Sequence, residues 1–549
     1  MLNTKTIIKT SFLTAALALF TMAQPASAQQ RDFLPPMMGW GAWNAFGQRI
    51  SEENICSQAD WLVKLGLDKL GYKYVCIDDG FWDGRNDDGT LRLQTKKFPN
   101  GMRKVADYIH SKGLKAGIYS DAGDNTCASR NVEPWGLNVG LAGHEYDDCK
   151  LYFADWDYDY IKVDYCGGNN MGLDERKQYT KIGDVIKRIE KEIGKNIVYN
   201  VCRWEFPGTW ITRTADSWRT TADIIDSWED DEKRAWGWGL KHILTRARYE
   251  QAYTGGGHYN DLDGLQLGHR LNDQEERTHF AMWCIYSSPI VIGQDLRTLS
   301  EKTLTLLRNA DLVAMNQDRL GLGAPVVQRE GEVYVVAKDM ETLHGKKRAV
   351  AVLNMSDRKQ TIEVCLKSLG FVGGVNIHDC FSKADTKSEG NTVSVTVDAH
   401  DTQAFFFVGE RQDKTLYQAE EAWLNEYQRL ANLPTAEAVD ASKACLGAMV
   451  QNIGNSERNY LEWRDVYVTK GGKYKLTFAY AAAKERDLKV NVNGKDVKTF
   501  TNLNTGSWDA QWSTCSVVVN LKAGSNKVRL GNAEAFAPNI DYMRIEAVK

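Results

Sequence analysis

A (β/α)8 barrel followed by two antiparallel β-sandwiches is the fold that this chain of 549 residues predicts, and three observations carry it. Over residues 37–316, short apolar runs rich in β-branched and aromatic residues alternate with segments whose apolar positions repeat at helical spacing, as parallel strands joined by crossover helices do. Eight such units over that length suit a closed barrel better than an open sheet. Beyond residue 316 the period shortens to two, with Gly, Asn and Asp between the runs, the pattern of antiparallel sandwiches.

In chain order, residues 1–28 carry Lys5 and Lys9, an apolar stretch over 12–23, then Ala26-Ser27-Ala28. That is the layout of a cleavable secretory leader. The apolar stretch is short for a membrane span, so a soluble, exported protein is expected, in a Gram-negative periplasm or secreted. The eight barrel strands are expected at 38–43, 74–79, 116–120, 160–166, 197–202, 217–221, 259–265 and 288–293, with amphipathic helices such as 52–65, 101–112 and 174–193 between them. The strands of the next domain are expected at 326–329, 333–338, 347–354, 360–363, 392–397 and 402–408, and the charged stretch 409–414 reads as a linker. The domains are therefore the leader at 1–28, the barrel at 29–318, an antiparallel β domain at 319–409 and a last β-sandwich at 415–549.

A formal net charge of −4 gives no reason to expect nucleic acid or an anionic membrane as partner. With 17 Trp and 23 Tyr the chain leans toward sugar handling, because aromatic faces cover the apolar side of a pyranose. The 11 cysteines are scattered rather than set in C-x-x-C pairs, which argues against zinc. Export permits disulfides, and an odd count leaves at least one thiol unpaired.

Chemistry in a barrel of this kind gathers at the C-terminal ends of the strands. There the sequence sets Trp43, Asp78, Asp79, Tyr119, Lys162, Asp164, Arg203, Trp204, Arg219, Asp223 and Asp263. Carboxylates accept from hydroxyls and tryptophans stack, so the set suits a neutral polyhydroxylated ring. Lys162 and Asp164 are two apart in one strand and share a face. A buried cation beside a buried carboxylate keeps it ionised, as a nucleophile requires; taken alone, the same pair also fits a structural ion pair.

Seven segments in order, Gly39-Trp40-Gly41-Ala42-Trp43-Asn44, Ile77-Asp78-Asp79-Gly80, Gly117-Ile118-Tyr119-Ser120-Asp121-Ala122-Gly123, Lys162-Val163-Asp164-Tyr165-Cys166, Trp218-Arg219-Thr220-Thr221-Ala222-Asp223-Ile224, Asn260-Asp261-Leu262-Asp263 and Thr278-His279-Phe280-Ala281-Met282-Trp283, resemble the motif set of the glycoside hydrolase family 27 α-galactosidases. The resemblance implies a retaining, exo-acting α-galactosidase without a catalytic cofactor, in which Asp164 is the nucleophile and Asp223 the acid and base. Asp226 competes for the acid role, and the family pattern Arg-x-x-Ala-Asp selects Asp223. Trp43 would stack on the sugar, Asp78 and Asp79 would hold its outer hydroxyls, and Tyr119, Lys162, Arg219 and Asp263 would complete the shell. Relatives acting on β-L-arabinopyranosides carry a longer Glu at the position of Asp79, so Asp here favours galactose. Cys127 and Cys166 correspond to a pair that is bridged in the family.

One position departs from the family. Where many members have Cys-Glu-Trp after the fifth strand, this chain has Cys202-Arg203-Trp204-Glu205. Arg donates where Glu accepts, so recognition at carbon 2 changes, with Glu205 a candidate replacement acceptor. The bulk of Arg203 also argues against an N-acetyl group there.

The last domain opens with Tyr417-Gln418-Ala419-Glu420 and closes with Ala537-Pro538-Asn539-Ile540-Asp541-Tyr542, which resemble the ends of a carbohydrate-binding module of family 6 or 35. By that resemblance Glu420 and Asp541 are candidate ligands for a structural calcium ion, and Trp508 and Asn539 candidate sugar contacts. Against the enzyme stand two alternatives: a β-L-arabinopyranosidase on the same barrel, and a non-catalytic sugar-binding protein. The expected partners are α-galactoside-containing glycans.

Overall fold

A computed structural model describes residues 34–133, 136–429 and 434–548; the expected leader lies outside them. Eight parallel strands, β1 (Met38–Gly41), β2 (Tyr74–Cys76), β3 (Lys115–Asp121), β4 (Tyr160–Asp164), β5 (Val198–Val201), β6 (Ser217–Arg219), β7 (Tyr259–Asp261) and β8 (Ile290–Ile292), pair in the order β7-β6-β5-β4-β3-β2-β1-β8. The ring closes where Leu265, just past β7, bridges Ile292 of β8 in parallel, its N–H donating to the Val291 carbonyl at 2.7 Å. The expected strands run on too far at most C-terminal ends. The chain leaves the ladder at Gly41, Cys76 and Asp164, and Ala42–Phe46 and Cys166–Asn170 form single helical turns.

The crossover helices follow from their apolar spacing. In Glu175–Ile193, residues Tyr179, Ile182, Ile186 and Ile189 are buried and fall on one face, and the Asp174 side chain caps the helix by accepting from the Lys177 N–H. Each such side chain removed from water contributes about 1.5–3 kcal/mol. Helices Glu52–Lys64 and Met102–Ser111 are built alike, Ser51 capping the first. The fifth crossover differs: between β5 and β6 stands only the 3-10 turn Thr209–Arg213.

Beyond the barrel, β9 (Val326–Glu330), β10 (Val333–Asp339), β11 (Lys347–Asn354), β12 (Gln360–Cys365), β13 (Phe371–Asp379), β14 (Asp385–Ser388), β15 (Thr392–Val397) and β16 (Thr402–Arg411) form a six-stranded sheet, β9-β10-β11-β16-β13-β14, facing the pair β12-β15. Strands β13 and β14 were not expected from the sequence. The start of the expected linker, residues 409–411, is strand: Arg411 closes β16 and donates to Asp339 at 2.9 Å.

The last domain has one six-stranded and one five-stranded sheet. Its first strand, β17 (Leu416–Gln418), pairs antiparallel with the last, Asn539–Ala547, joining Leu416 to Arg544. The sandwich expected from its two ends is the one observed.

Candidate active site

The rim residues converge because each stands at or just past a strand end. Asp164 closes β4, Arg219 closes β6, and Asp223 lies four residues on, in a two-residue strand whose partner is Gly237–Trp238. Burial pushes the Asp164 carboxyl up to about 6, the charge of Lys162 opposing and that of Asp223 adding to the rise. Asp164 accepts from the Tyr119 hydroxyl at 3.0 Å and from the Tyr165 N–H at 3.0 Å.

Lys162 behaves differently from the sequence expectation. Its ammonium donates to Asp78, from the neighbourhood of β2, at 3.2 Å, rather than to Asp164. Burial alone would lower its pKa, but the charges of Asp78, Asp164 and Asp263 outweigh that and hold it protonated. Its effect on Asp164 is therefore a field acting across the rim, and burial exceeds it, so the nucleophile candidate is raised and not depressed.

Asp223 keeps 47% of its side chain open, as a group that must meet a leaving oxygen needs. Its pKa is raised, first by burial and then by Asp263, with Arg219 opposing. Arg219 donates to Asp223 at 3.1 Å and also pairs with Asp263 at 3.1 Å. Asp263 is a non-glycine residue at φ +80, a conformation that persists only where the surroundings over-determine it. They do so here: its carboxylate accepts from Ile224 N–H at 2.8 Å and Gly264 N–H at 2.7 Å, and its carbonyl from the Trp283 indole at 2.8 Å. Expected as a sugar contact, Asp263 is engaged in bracing the strand that carries Asp223. The competitor Asp226 turns away, bound by Arg234 and Arg270.

Trp43 stands 40% exposed on the turn after β1. Asp79 is buried, its oxygens accepting from Gly80 N–H, the Thr126 hydroxyl and Ala128 N–H at 2.8–2.9 Å, so it also anchors the loop after β3. That loop is joined to the end of β4 by the Cys127–Cys166 disulfide. The two segments are pressed so close that a Cβ on Gly123 would lie 2.0 Å from the Gly167 carbonyl carbon. Arg203 donates to Glu175 at 2.7 Å and lies 5.0 Å over the Tyr165 ring, and Glu205 pairs with Arg429 at 3.1 Å.

Sequence reasoning passed over Asp121. One of its oxygens accepts from Gly123, Gly167 and Gly168 N–H at 2.7–3.2 Å, and burial with the Asp164 charge pushes its carboxyl up to about 7. The signal was its place at the end of an apolar strand, inside a motif already quoted. Asp121, Cys127 and Cys166 hold ligand atoms within 4.8 Å of one another, but both sulfurs are committed to the disulfide and offer no thiolate.

In the last domain, Trp508 is 38% exposed with the Arg486 guanidinium 5.2 Å from its ring, and the Asn539 amide braces it by donating to the Trp508 carbonyl at 2.9 Å. Burial pushes Glu420 up to about 8 and Asp541 up to about 7. Glu420 Oε2 and Gln418 Oε1 are buried with no protein partner, and Asp541 accepts from the Cys445 N–H at 3.0 Å.

Residues 35–318 match the family model described as alpha galactosidase A, residues 330–407 that of the alpha galactosidase C-terminal beta sandwich domain, and residues 435–547 that of the carbohydrate binding module, family 6. Alpha-galactosidase A of Cellvibrio japonicus is 37% identical over 338 residues, 60% of this chain and 79% of that protein. An alpha-galactosidase of Oryza sativa is 36% identical over 381 residues, 67% of this chain and 84% of that one. Among solved structures, alpha-galactosidase I from Mortierella vinacea is similar with a TM-score of 0.63 and 25% identity, covering 70% of this chain and all (100%) of that one.

Proposed function

The chain belongs to the alpha galactosidase A family of glycoside hydrolases, and on that premise we propose that it is a retaining, exo-acting α-galactosidase that releases terminal α-D-galactosyl residues from oligo- or polysaccharides. The observation that carries the reading is the arrangement of two carboxyls on one rim: Asp164, enclosed at the end of β4, accepts from the Tyr119 hydroxyl and lies in the field of Lys162, and Asp223, partly open and held by Arg219, raises the Asp164 pKa by its charge. Asp164 attacks the anomeric carbon while Asp223 gives its proton to the glycosidic oxygen, and the aglycone leaves as an alcohol. Asp223, now a carboxylate, takes a proton from water; the hydroxide attacks the same carbon and frees Asp164. This route needs the two carboxyls about 5–5.5 Å apart.

Trp43 covers the apolar face of the sugar, and Asp78, Lys162 and Arg219 meet its hydroxyls. The short side chain of Asp79 leaves room for the galactose hydroxymethyl group, which an arabinopyranoside lacks. The chemistry uses carboxyls only. In the last domain, all-oxygen ligands with unmet lone pairs fit calcium: Gln418, Glu420 and Asp541 would hold it, and the ion would neutralise two buried acids. Trp508 gives that domain a stacking surface for glycan, and the leader at 1–28 directs export. Among the described residues no helix is long and apolar enough to cross a membrane.

The test is release of nitrophenol from its α-galactoside and β-L-arabinopyranoside by the wild type and by Asp164→Ala. Galactoside turnover that disappears in the variant is expected. Preference for the arabinopyranoside would replace the substrate, and no turnover of either would leave the sugar-binding alternative.

A further inference from the structure

The β5–β6 connection, without a helix of its own, is covered by residues 423–429 of the C-terminal module. Thr209 N–H donates to the Tyr427 carbonyl at 2.9 Å. The Phe206 ring packs against both Tyr427, at 5.3 Å, and Tyr253, at 4.7 Å, which themselves lie 5.9 Å apart, and Trp423 meets Tyr253 edge-on at 5.2 Å. At Gly208, φ +125, the loop and the strap are close: a Cβ there would stand 2.9 Å from that of Gln428. Glu205 and Arg429 complete the contact as a half-buried ion pair at 3.1 Å.

The near end of the same loop reaches the chemistry. Arg203 lies over Tyr165, the residue after Asp164, and is tied to Glu175. The Cys202 sulfur accepts from Arg219 at 3.7 Å, the guanidinium that also holds Asp223. Between the two ends, Trp204 stands at φ +66, a strained conformation for an aromatic residue that needs anchoring on both sides.

We propose that the module strap is a working part of the active-site rim: Arg429 and Tyr427, acting through Glu205 and Thr209, are positioning residues for the 202–209 loop and so for Arg203 beside the nucleophile. This rests on the glycosidase reading of the rim and goes beyond it. A module that only tethers the enzyme to polymer would leave turnover of a small soluble galactoside untouched. A module that holds the loop governs that turnover too.

The experiment uses the full chain, with Arg429→Met, Glu205→Gln, the double variant and Arg429→Lys. Two quantities are read: kcat/KM on a soluble α-galactoside, and the Kd for galactose by calorimetry, with melting temperature as a check on folding. Each single variant is expected to lose about tenfold in kcat/KM and to weaken galactose binding, since small misplacements of a binding loop are costly. The double variant should be no worse than the singles by more than about twofold, as partners in one interaction behave, and Arg429→Lys should recover most of the loss. Glu205→Gln keeps shape and removes only charge, so it reports even where Arg429→Met folds poorly. Unchanged kcat/KM and galactose Kd in Glu205→Gln, or losses that multiply in the double variant, would overturn the proposal. A wild type that binds galactose without hydrolysing any galactoside would overturn the glycosidase reading instead, while the Kd series still decides this one.

Discussion

Two clusters of acids in this molecule differ in the cations that stand beside them. At the barrel rim, Asp78, Asp164, Asp223 and Asp263 share Lys162 and Arg219, and Asp164 is raised only to about 6. In the module, burial pushes the carboxyls of Glu420 and Asp541 up to about 8 and about 7, and Arg248, whose charge opposes the rise at Glu420, donates to Asp440, Tyr249 and Tyr334 instead. Burial alone turns a carboxylate into a neutral acid near pH 7. The fixed cations at the rim oppose burial and hold Asp164 below the module acids, and that opposition, more than the number of acids, suits a rim to acid and nucleophile work.

The sharpest way to break the comparison is to remove Asp223, the candidate acid. Asp223→Ala should lower kcat for a galactoside with a poor leaving group by about 10²–10⁴-fold, and much less for one whose leaving group needs no proton. Asp226→Asn, which disturbs only the pairs with Arg234 and Arg270, should stay within a few-fold of wild type. Equal losses in the two variants would reassign the acid.

Next in size is the field of Lys162. It lowers the Asp164 pKa, so Lys162→Met raises it, and the acid limb of kcat/KM against pH moves upward from about 6, by one unit or roughly so. An unmoved acid limb would mean that the rim cations do not set the nucleophile's ionisation.

This cation also marks what sequence can and cannot carry. Alternation along a strand sets Lys162 and Asp164 on one face, and the barrel, its rim and the seven motifs were legible because buried parallel strands leave continuous apolar runs. The hydrogen-bond partner of Lys162 comes from beside another strand, and no spacing along the chain encodes that Asp78 lies closer. Strand β13 was hidden because Val372-Gly373-Gly374 interrupts its alternation, where the register shifts between Phe371 and Val375. Strand β14, Asp-Thr-Lys-Ser, is an exposed edge with no apolar face to read. The bare β5–β6 crossover escaped notice because what covers it lies more than two hundred residues on, in another domain.

A smaller effect sharpens the module's side of the comparison. Millimolar calcium should raise the melting temperature of the module transition by several degrees, by binding only the folded form, with Asp541→Asn removing the gain. Protons compete for the same oxygens, so the gain should grow as pH rises through about 7, where Asp541 ionises, toward about 8 for Glu420. A shift of equal size in Asp541→Asn would set the ion elsewhere.

Smallest is a test of an acid that belongs to neither group. Glu250, buried beneath the Phe206–Tyr253 stack, has its carboxyl pushed up to about 8 by burial, only partly offset by Arg246. A folded pKa above the ordinary carboxylate value means that the unfolded chain releases this proton first. Stability contributed by the protonated acid is therefore complete below about pH 4, and is lost progressively up to about 8. Glu250→Gln keeps the shape and cannot ionise, so it should match wild type near pH 4 and melt a few degrees higher at pH 8. If the two proteins lose stability in parallel across that range, Glu250 is already ionised in the folded state, and Arg246 is doing for it what Lys162 does for Asp164.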